Sequence, residues 1–195
     1  VRNVQVLQGT AAFASPTQLT VKSENDHHTI TFDNCIIATG SIAAGIPIIA
    51  TDHPLIINST VALKLEDIPK RLLVIGGGYI GLELGTVYAA LGTRVSVVEM
   101  TSGLIPPADR DLIKPLEASL GKRFAQILLS TRVAGIQEGK DGIEVRFESV
   151  EGKVSERTFE KVLVAVGRRP NTEDLGLENT RVQLDQGGFV QVDAQ

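Results

Sequence analysis

Three glycines and one carboxylate have the types and the spacing of a nucleotide-binding turn. Gly76, Gly78 and Gly81 stand in the run G-G-G-Y-I-G, which matches the pattern G-x-G-x-x-G. Gly76 would permit a tight turn, and Gly78 would let the backbone approach a pyrophosphate where a Cβ atom would collide with it. Glu99 lies 23 positions beyond Gly76, near the offset of about 20 residues expected of a carboxylate that binds an adenosine ribose. This spacing predicts dinucleotide binding.

The elements that must position these residues occur in the required order. A strand R-L-L-V-I leads into the glycines, a helix follows them, and a second strand R-V-S-V-V ends at Glu99. Amide groups at the start of the helix would bind the phosphates, and Gly81 and Gly85 would let the helix pack close against its sheet. An ordinary glycine-rich turn is the competing interpretation, but the order strand, turn, helix, strand favours a dinucleotide site.

The carboxylate of Glu99 also indicates which dinucleotide is bound. Its negative charge would repel a 2′-phosphate on the ribose. The residues that follow it, M-T-S-G, supply no cation that could bind such a phosphate. The sequence therefore predicts NAD in preference to NADP.

The composition argues against several other classes of protein. The net charge is −4 with acidic and basic residues interleaved, so neither nucleic acid nor a membrane surface is an expected partner. No apolar run is long enough to span a bilayer and the first residues lack a signal-peptide core, so a cytoplasmic protein is expected. The single cysteine, Cys35, excludes an internal disulfide and is expected to be a small buried residue. His27, His28 and His53 lack the spacing of metal ligands, so no metal is predicted.

Before the glycine-rich turn, the pattern predicts strands and then a connection. An antiparallel meander is expected from the runs V-Q-V-L-Q, A-A-F, Q-L-T-V-K and T-I-T-F. The run C-I-I-A-T-G-S predicts a strand buried on both faces. Between Ser41 and Pro69 the pattern loosens around Gly45, Pro47 and Pro54, which indicates a connection between domains.

After Glu99 the pattern predicts a second helix, more sheet and an antiparallel excursion. Asp109 is the expected N-cap of the helix, and Pro115 should kink it or delay its start. The run Q-I-L-L-S continues the parallel sheet. The excursion is expected from R-V-A-G-I-Q, I-E-V-R-F-E and S-E-R-T-F-E, followed by a buried strand K-V-L-V-A-V-G and a short strand F-V-Q-V. The predicted fold class is therefore α/β, a Rossmann-like domain with a parallel sheet and an antiparallel excursion.

Three motifs occur in the order seen in a known family. The runs I-I-A-T-G-S, G-G-G-Y-I-G-L-E-L-G and V-A-V-G-R-R-P-N resemble those of the pyridine nucleotide-disulfide oxidoreductases, flavoenzymes that bind two dinucleotides. Within that family, V-V-E-M and A-D-R-D-L-I-K are similar to bacterial dihydrolipoamide dehydrogenases. The resemblance implies that residues 1–43 and 166–195 are parts of a discontinuous FAD domain, and that residues 44–165 form the NAD-binding domain.

The resemblance also implies the residues that contact the cofactors. Those that match FAD contacts are Ala11, Thr39 and Gly40. Those that match the NAD site are Gly76, Gly78, Tyr79, Ile80, Gly81, Glu99, Val133, Ala165 and Gly167. Val133 is expected beside the adenine and Ala165 near the nicotinamide. For both, simple packing in the core is the competing interpretation.

Two residues match catalytic positions of the family. Tyr79 resembles an aromatic lid over the nicotinamide pocket, and its alternative is packing at the start of the helix. Glu83 matches a carboxylate that, in the family, pairs with a lysine beside the flavin. A paired role is also expected because a carboxylate that faces a sheet costs free energy unless it is paired. The alternative for Glu83 is an exposed carboxylate stabilised by the helix N-terminus.

The family reaction also uses an N-terminal FAD fingerprint, a C-x-x-x-x-C disulfide, a G-D flavin motif and an interface domain with a His-Glu pair. None of these is in this sequence, so we expect an internal part of a longer enzyme that is inactive alone. The parent would be a homodimer that passes electrons from dihydrolipoamide, carried by an E2 acyltransferase, through its disulfide and FAD to NAD. A soluble transhydrogenase, a mercuric or glutathione reductase and a non-catalytic nucleotide-binding module are the alternatives.

Overall fold

The computed structural model describes residues 3–47, 49 and 53–193. The strands, numbered along the chain, are β1 Thr10–Ser15, β2 Gln18–Lys22, β3 His27–Thr31, β4 Ser41–Ala43, β5 Ile56–Asn58, β6 Arg71–Ile75, β7 Arg94–Val98, β8 Gln126–Leu128, β9 Thr131–Gly139, β10 Gly142–Ser149, β11 Val154–Phe159, β12 Lys161–Val164 and β13 Arg168–Pro170. The α-helices are α1 Ser59–Ala62, α2 Tyr79–Ala90 and α3 Arg110–Leu120, and a 3₁₀ helix covers Leu177–Asn179. The chain divides into two compact units, one of Val1–Ile42 with Arg169–Gln195 and one of Ala43–Arg168.

A parallel five-stranded sheet is the centre of the larger unit. Its strand order is β5-β12-β6-β7-β8, and each neighbouring pair is parallel. The order reverses at β6, because α2 and α3 carry the chain outward to β7 and β8 while β12 and β5 lie on the other side. A ligand site in such a sheet is expected at this switch point, beside the carboxyl ends of the strands.

Both faces of this sheet are covered, which explains why its central strands are continuous apolar runs. Leu72 and Val74 of β6 lie in a core shared with α2 and α3. Leu73 and Ile75 point to the opposite face and lie in a second core with residues of β10 and β11. The antiparallel sheet β11-β10-β9 therefore closes the face that the helices leave open. The predicted α/β class, parallel sheet and antiparallel excursion are confirmed.

Helix α2 packs close to the sheet through two glycines, as predicted. A Cβ atom on Gly81 would lie 3.0 Å from Cγ1 of Val74, and one on Gly85 would lie 3.2 Å from the ring of Phe124. Both glycines are buried. A larger residue at either position would push the helix away from β6 and with it the turn that precedes the helix.

Helix α3 begins directly after Asp109, so its predicted N-cap position is confirmed, although the Asp109 side chain makes no capping hydrogen bond. Pro115 lies inside the helix, and the predicted delay of the helix start is wrong. The ring removes the N–H that would bond the carbonyl of Asp111. Since Asp111 is exposed, water can satisfy that carbonyl and the helix tolerates the proline.

The smaller unit contains an antiparallel sheet in the order β1-β2-β3, which confirms the predicted meander for three strands. Phe13 is its buried centre and meets Phe32 edge to face, with ring centroids 6.1 Å apart. The Phe13 N–H donates to the carbonyl of Leu175 at 2.7 Å, which ties the sheet to the later segment of this unit. Its assignment to a FAD domain remains a prediction.

Three predicted strands are wrong. Residues 4–8 and 35–40 form no strand, and residues 189–192 contribute only an isolated bridge between Val190 and Leu184. Cys35, expected to be buried, is exposed. Among the described residues, residues 4–8 and 35–40 have no neighbouring strand that could pair with their backbone and cover their side chains, and residues 189–192 pair only with the short segment around Leu184.

The predicted connection between domains also contains structure. Within 41–69 the chain forms β5, which pairs with β12, and α1, which is capped by the side chain of Asn58. The three-residue strand I-I-N is too short to show a periodic pattern. In the part of the chain that the structure describes, no helix is long and apolar enough to cross a membrane. The same residues include no group of three or more metal-ligating side chains.

Candidate functional site

The glycine-rich turn lies at the carboxyl end of β6, between β12 and β7. Gly76 has a φ of +109°, which favours glycine, and a Cβ atom there would collide with the carbonyl of Ala165 at the end of β12. On the other side, the Gly76 N–H donates to the carbonyl of Val98 at 2.9 Å. The tight turn predicted at Gly76 is therefore required by both neighbouring strands.

Gly77, at a variable position of the motif, is also constrained. Its N–H donates to Oε2 of Glu99 at 2.7 Å, and its carbonyl accepts from the N–H of Ile105 at 2.9 Å. A Cβ atom on Gly77 would lie 2.8 Å from a methyl group of Leu104. Sequence reasoning assigned no role to this residue, although a third consecutive glycine was a signal for one.

Gly78 leaves open space where a phosphate is expected. It is the N-cap of α2, no side chain caps the helix, and no heavy atom lies within 4 Å of a Cβ atom built on it. The N–H groups of the first turn therefore have no acceptor in their own helix, and the helix dipole is positive at this end. An anion fits this position on both counts.

Both oxygens of Glu99 are already engaged within the protein. Oε2 accepts from Gly77, and Oε1 accepts from the N–H and the hydroxyl of Thr101, each at 2.8 Å. An ionised carboxylate can accept about four hydrogen bonds, so capacity remains for a further donor. Glu99 thus holds the glycine-rich turn as well as facing the space beside it, and Thr101 is a supporting residue that sequence reasoning missed.

Two adjoining clefts surround the turn and share Gly76, Glu99 and Val166. The first has a volume of about 370 Å³ and includes Val133, Met100 and Thr101 in its lining. The second has a volume of about 400 Å³, and its lining includes Gly78, Tyr79, Ile80, Ala165 and Gly167. All residues predicted to contact NAD except Gly81 line these clefts. Gly81 lies beneath them in the contact between α2 and β6.

The two residues matched to catalytic positions lie on the first turns of α2 and are exposed. Tyr79 is the first residue of the helix and is 62% exposed at the edge of the second cleft. Glu83 is exposed and, within the described part of the chain, has neither an ion-pair partner nor a side-chain hydrogen bond. Its surroundings correspond to the alternative weighed for it, and the roles of both residues stay predictions.

Residues matched to FAD contacts lie in the smaller unit. Thr39 and Gly40 are exposed, and the carbonyls of both accept from Asn171, at 3.3 Å from its side chain and 3.0 Å from its N–H. Gly40 has a φ of +68° and open space around its Cβ position. Ala11 lies on β1, and no hydrogen bond among the described residues joins it to that turn. These contacts to FAD stay predictions.

Sequence reasoning missed a cation that lies at the first cleft. Arg132 of β9 is part of the cleft lining, and its guanidinium bonds Oε2 of Glu148 at 2.7 Å across the antiparallel pair. The residues directly after Glu99 include no cation, and Arg132 is brought to the cleft by β9, the strand that follows β8. Its pairing with Glu148 leaves Glu99 as the carboxylate without a cationic partner at this end of the sheet, among the residues described.

The sequence matches a known family over its whole length. The sequence pattern of the family described as pyridine nucleotide-disulphide oxidoreductase matches residues 1–195. A protein of Vibrio parahaemolyticus named dihydrolipoyl dehydrogenase is 39% identical over 195 residues, which cover 100% of this chain and 41% of that protein. The dihydrolipoyl dehydrogenase of Haemophilus influenzae is 42% identical over 197 residues, covering 100% of this chain and 40% of that protein.

Solved structures have the same fold. The HOCl-induced flavoprotein disulfide reductase RclA of Escherichia coli superposes with a TM-score of 0.85 at 29% identity, covering 97% of this chain and 42% of that one. LpdA of Mycobacterium tuberculosis superposes with a TM-score of 0.81 at 26% identity, covering 95% of this chain and 41% of that one. The chain spans about two fifths of the length of the relatives it matches, 41% in the case of the Vibrio protein.

Proposed function

The chain belongs to the pyridine nucleotide-disulphide oxidoreductase family, and on that premise we propose that it is the NAD-binding portion of a dihydrolipoyl dehydrogenase. The observation that carries the proposal is the Glu99 carboxylate bonded to Gly77 beside the open backbone of Gly78. The proposed reaction converts dihydrolipoamide and NAD⁺ to lipoamide and NADH. FAD as second cofactor, dihydrolipoamide held by an E2 acyltransferase, and a homodimeric parent enzyme are parts of the same proposal.

The described residues fit a dinucleotide. The first turn of α2 offers unpaired N–H groups and the positive end of its dipole to the pyrophosphate, and Gly78 has no side chain to block it. Glu99 keeps acceptor capacity for a hydroxyl of the adenosine ribose, while Val133 gives the first cleft an apolar wall suited to adenine. The partial charges and the shape of the clefts thus match the three chemical parts of ADP.

The second cleft would receive the nicotinamide end. Its lining includes two small residues that follow β12, Ala165 and Gly167, which leave room for a flat ring. When bound, NAD supplies a ring that accepts a hydride and FAD supplies the electrons for it. Tyr79, exposed at the rim, would serve as an aromatic lid that excludes water from this cleft. Glu83 would balance the charge of a lysine beside the flavin.

The cofactor part of the proposal is tested by isothermal titration calorimetry with NADH and NADPH. We expect NADH to bind at least about ten-fold more tightly than NADPH. Glu99→Ala should remove the repulsion of the 2′-phosphate and bring the two affinities together. Glu151→Gln, which removes one exposed carboxylate at the turn between β10 and β11, is the matched control and should leave the ratio unchanged. Comparable affinities in the unmodified protein would refute the assignment of NAD.

The catalytic part needs a separate assay. The full-length FAD-loaded enzyme is expected to reduce NAD⁺ with dihydrolipoamide and to be slow with glutathione or mercuric ion. The isolated 195-residue chain should give no turnover, because its only thiol is Cys35. Glu83→Gln in the full-length enzyme should slow flavin reduction or reoxidation. Robust NAD⁺ reduction by the isolated flavin-free chain would contradict the proposal.

A further inference from the structure

Arg110, the first residue of α3, uses its guanidinium to bind backbone carbonyls. Nε donates to the carbonyl of Ala108 at 3.1 Å, Nη1 donates to that of Leu104 at 2.9 Å, and Nη2 donates to those of Ile105 at 2.6 Å and Ala108 at 2.7 Å. Most of the five N–H donors of an arginine are thereby directed at one loop. Arg110 has no ion pair among the described residues, so these carbonyls are its partners.

The loop that Arg110 holds, residues 104–108, covers the glycine-rich turn. Leu104 is fully buried, and its side chain is the atom group that a Cβ on Gly77 would meet. The N–H of Ile105 donates to the carbonyl of Gly77 at 2.9 Å. Ile105 has a φ of +43°, which is strained for a β-branched residue and persists only where the surroundings enforce it. The bonds from Arg110 on either side of that strained residue supply this enforcement.

The bond from Ile105 sets the direction of a phosphate-binding amide. The carbonyl of Gly77 and the N–H of Gly78 belong to one trans peptide, in which they point in opposite directions. Because Ile105 holds the carbonyl toward the loop, the N–H of Gly78 is turned away from the loop. The N–H of Gly77 is fixed independently by Glu99. The two peptides of the turn are therefore held from two sides, by Glu99 and by the loop.

We propose that Arg110 is a positioning residue for dinucleotide binding, which acts by fixing the 104–108 loop and through it the amide of Gly78. The inference rests on the proposed NAD site. The proposal predicts different effects for Arg110 and Glu99. Because the pyrophosphate is common to both cofactors, loss of Arg110 should weaken the binding of NADH and of NADPH by the same factor. Loss of Glu99 should instead change their ratio.

Calorimetric titration of NADH and NADPH into three variants tests the proposal. Arg110→Ala should bind each cofactor about ten-fold more weakly, with their ratio unchanged. Arg110→Lys keeps the charge but lacks the planar fork and should be weakened by a similar factor. Arg123→Ala, an exposed arginine just after the same helix, is the matched control and should bind like the unmodified protein. Unchanged affinity in Arg110→Ala, or full affinity in Arg110→Lys, would overturn the proposal.

Amide hydrogen exchange gives a readout that does not require cofactor. In Arg110→Ala the exchange of the Ile105 amide should accelerate, while the Gly77 amide, which Glu99 holds, and the amides of Val74 and Val95 in the buried strands should keep their protection. Equal acceleration at all four positions would indicate a general loss of stability and overturn the proposal. If the unmodified protein bound neither cofactor, the proposed function would fail, and selective exchange at Ile105 would still support the positioning of the turn by Arg110.

Discussion

Two segments with nearly the same sequence pattern differ in structure, since one forms a buried strand and the other forms no strand. Residues 35–40, C-I-I-A-T-G, and residues 161–167, K-V-L-V-A-V-G, are both short apolar runs that end in glycine. The second forms β12, buried between β5 and β6, with Leu163 fully buried. The first forms no strand, and Ile36 is 90% exposed. An apolar run encodes the capacity for burial, and the neighbouring strands decide whether that capacity is used.

The largest expected difference between the two segments is in core packing. Leu163→Ala should lower the free energy of unfolding by about 3 kcal/mol, because it leaves a cavity inside a packed sheet. Ile36→Ala should change it by no more than about 0.5 kcal/mol, as for other surface substitutions. Urea unfolding of both variants measures the difference. Equal destabilisation would show that residues 35–40 are packed in solution, and the comparison would fail.

A smaller difference is expected between glycines that follow such runs. Gly76→Ala should cost about 2 kcal/mol, since it combines an unfavourable φ with a collision against the Ala165 carbonyl. Gly40→Ala should cost about 1 kcal/mol, because it has a positive φ but open space. Thermal unfolding of the two variants compares the cost. A larger loss at Gly40 than at Gly76 would mean that packing around Gly40 is denser than described.

Tyr88 is a buried polar side chain in the larger unit, and its hydrogen bond allows a smaller contribution to stability to be tested there. Its hydroxyl donates to the carbonyl of Ala62 at 3.1 Å. Burial, and then the charge of Asp67, raise the pKa of Tyr88 above the ordinary value of 10.0. Since the unfolded chain ionises this group at lower pH, its stabilising contribution is complete below about pH 10 and is lost as the pH rises through the pKa of the folded state.

Tyr88→Phe should therefore cost about 1 kcal/mol at pH 8 and less at pH 11. Urea unfolding at the two pH values measures this change. The unmodified protein should lose more stability between them than Tyr88→Phe does. An identical loss in both proteins would show that the Tyr88 hydroxyl is not the group responsible.

The smallest effect on stability is expected at Cys35. Cys35→Ser should change the free energy of unfolding by no more than about 0.5 kcal/mol, because the side chain is exposed. The native protein should react with a thiol reagent such as DTNB within about ten-fold of the rate in urea, since no unfolding is needed for access. Strong protection in the native state would indicate that residues 35–40 are covered, as the sequence pattern alone had predicted.

The accuracy of the sequence-based predictions also differed between parts of the chain. The strand, turn and helix around Gly76 were predictable because the continuous stretch from β6 to β7 carries its own periodicity and glycine spacing, although residues outside that stretch, such as Ala165, also contact the turn. Glu99 was found from its spacing alone. Ile105 and Arg110 were missed because their partners are backbone carbonyls, which carry no sequence signature. Thr101 was missed because Glu99, its partner, was matched only to the ribose. Arg132 was missed because it arrives from a strand distant along the chain.

The order of strands in the parallel sheet has a kinetic consequence. β12, the central neighbour of β5 and β6, is the last of the five strands in the chain. Until β12 is synthesised, the edges of β5 and β6 that face it in the folded sheet have no partner in this sheet. β6 can then pair only with β7. Completing the sheet is a long-range closure of the type that slows folding. In stopped-flow refolding, Leu163→Ala should therefore affect mainly the final, slow phase. A ribosome-bound chain that ends before β12 should expose the unpaired edges of β5 and β6, where a strand of another protein can pair and initiate aggregation.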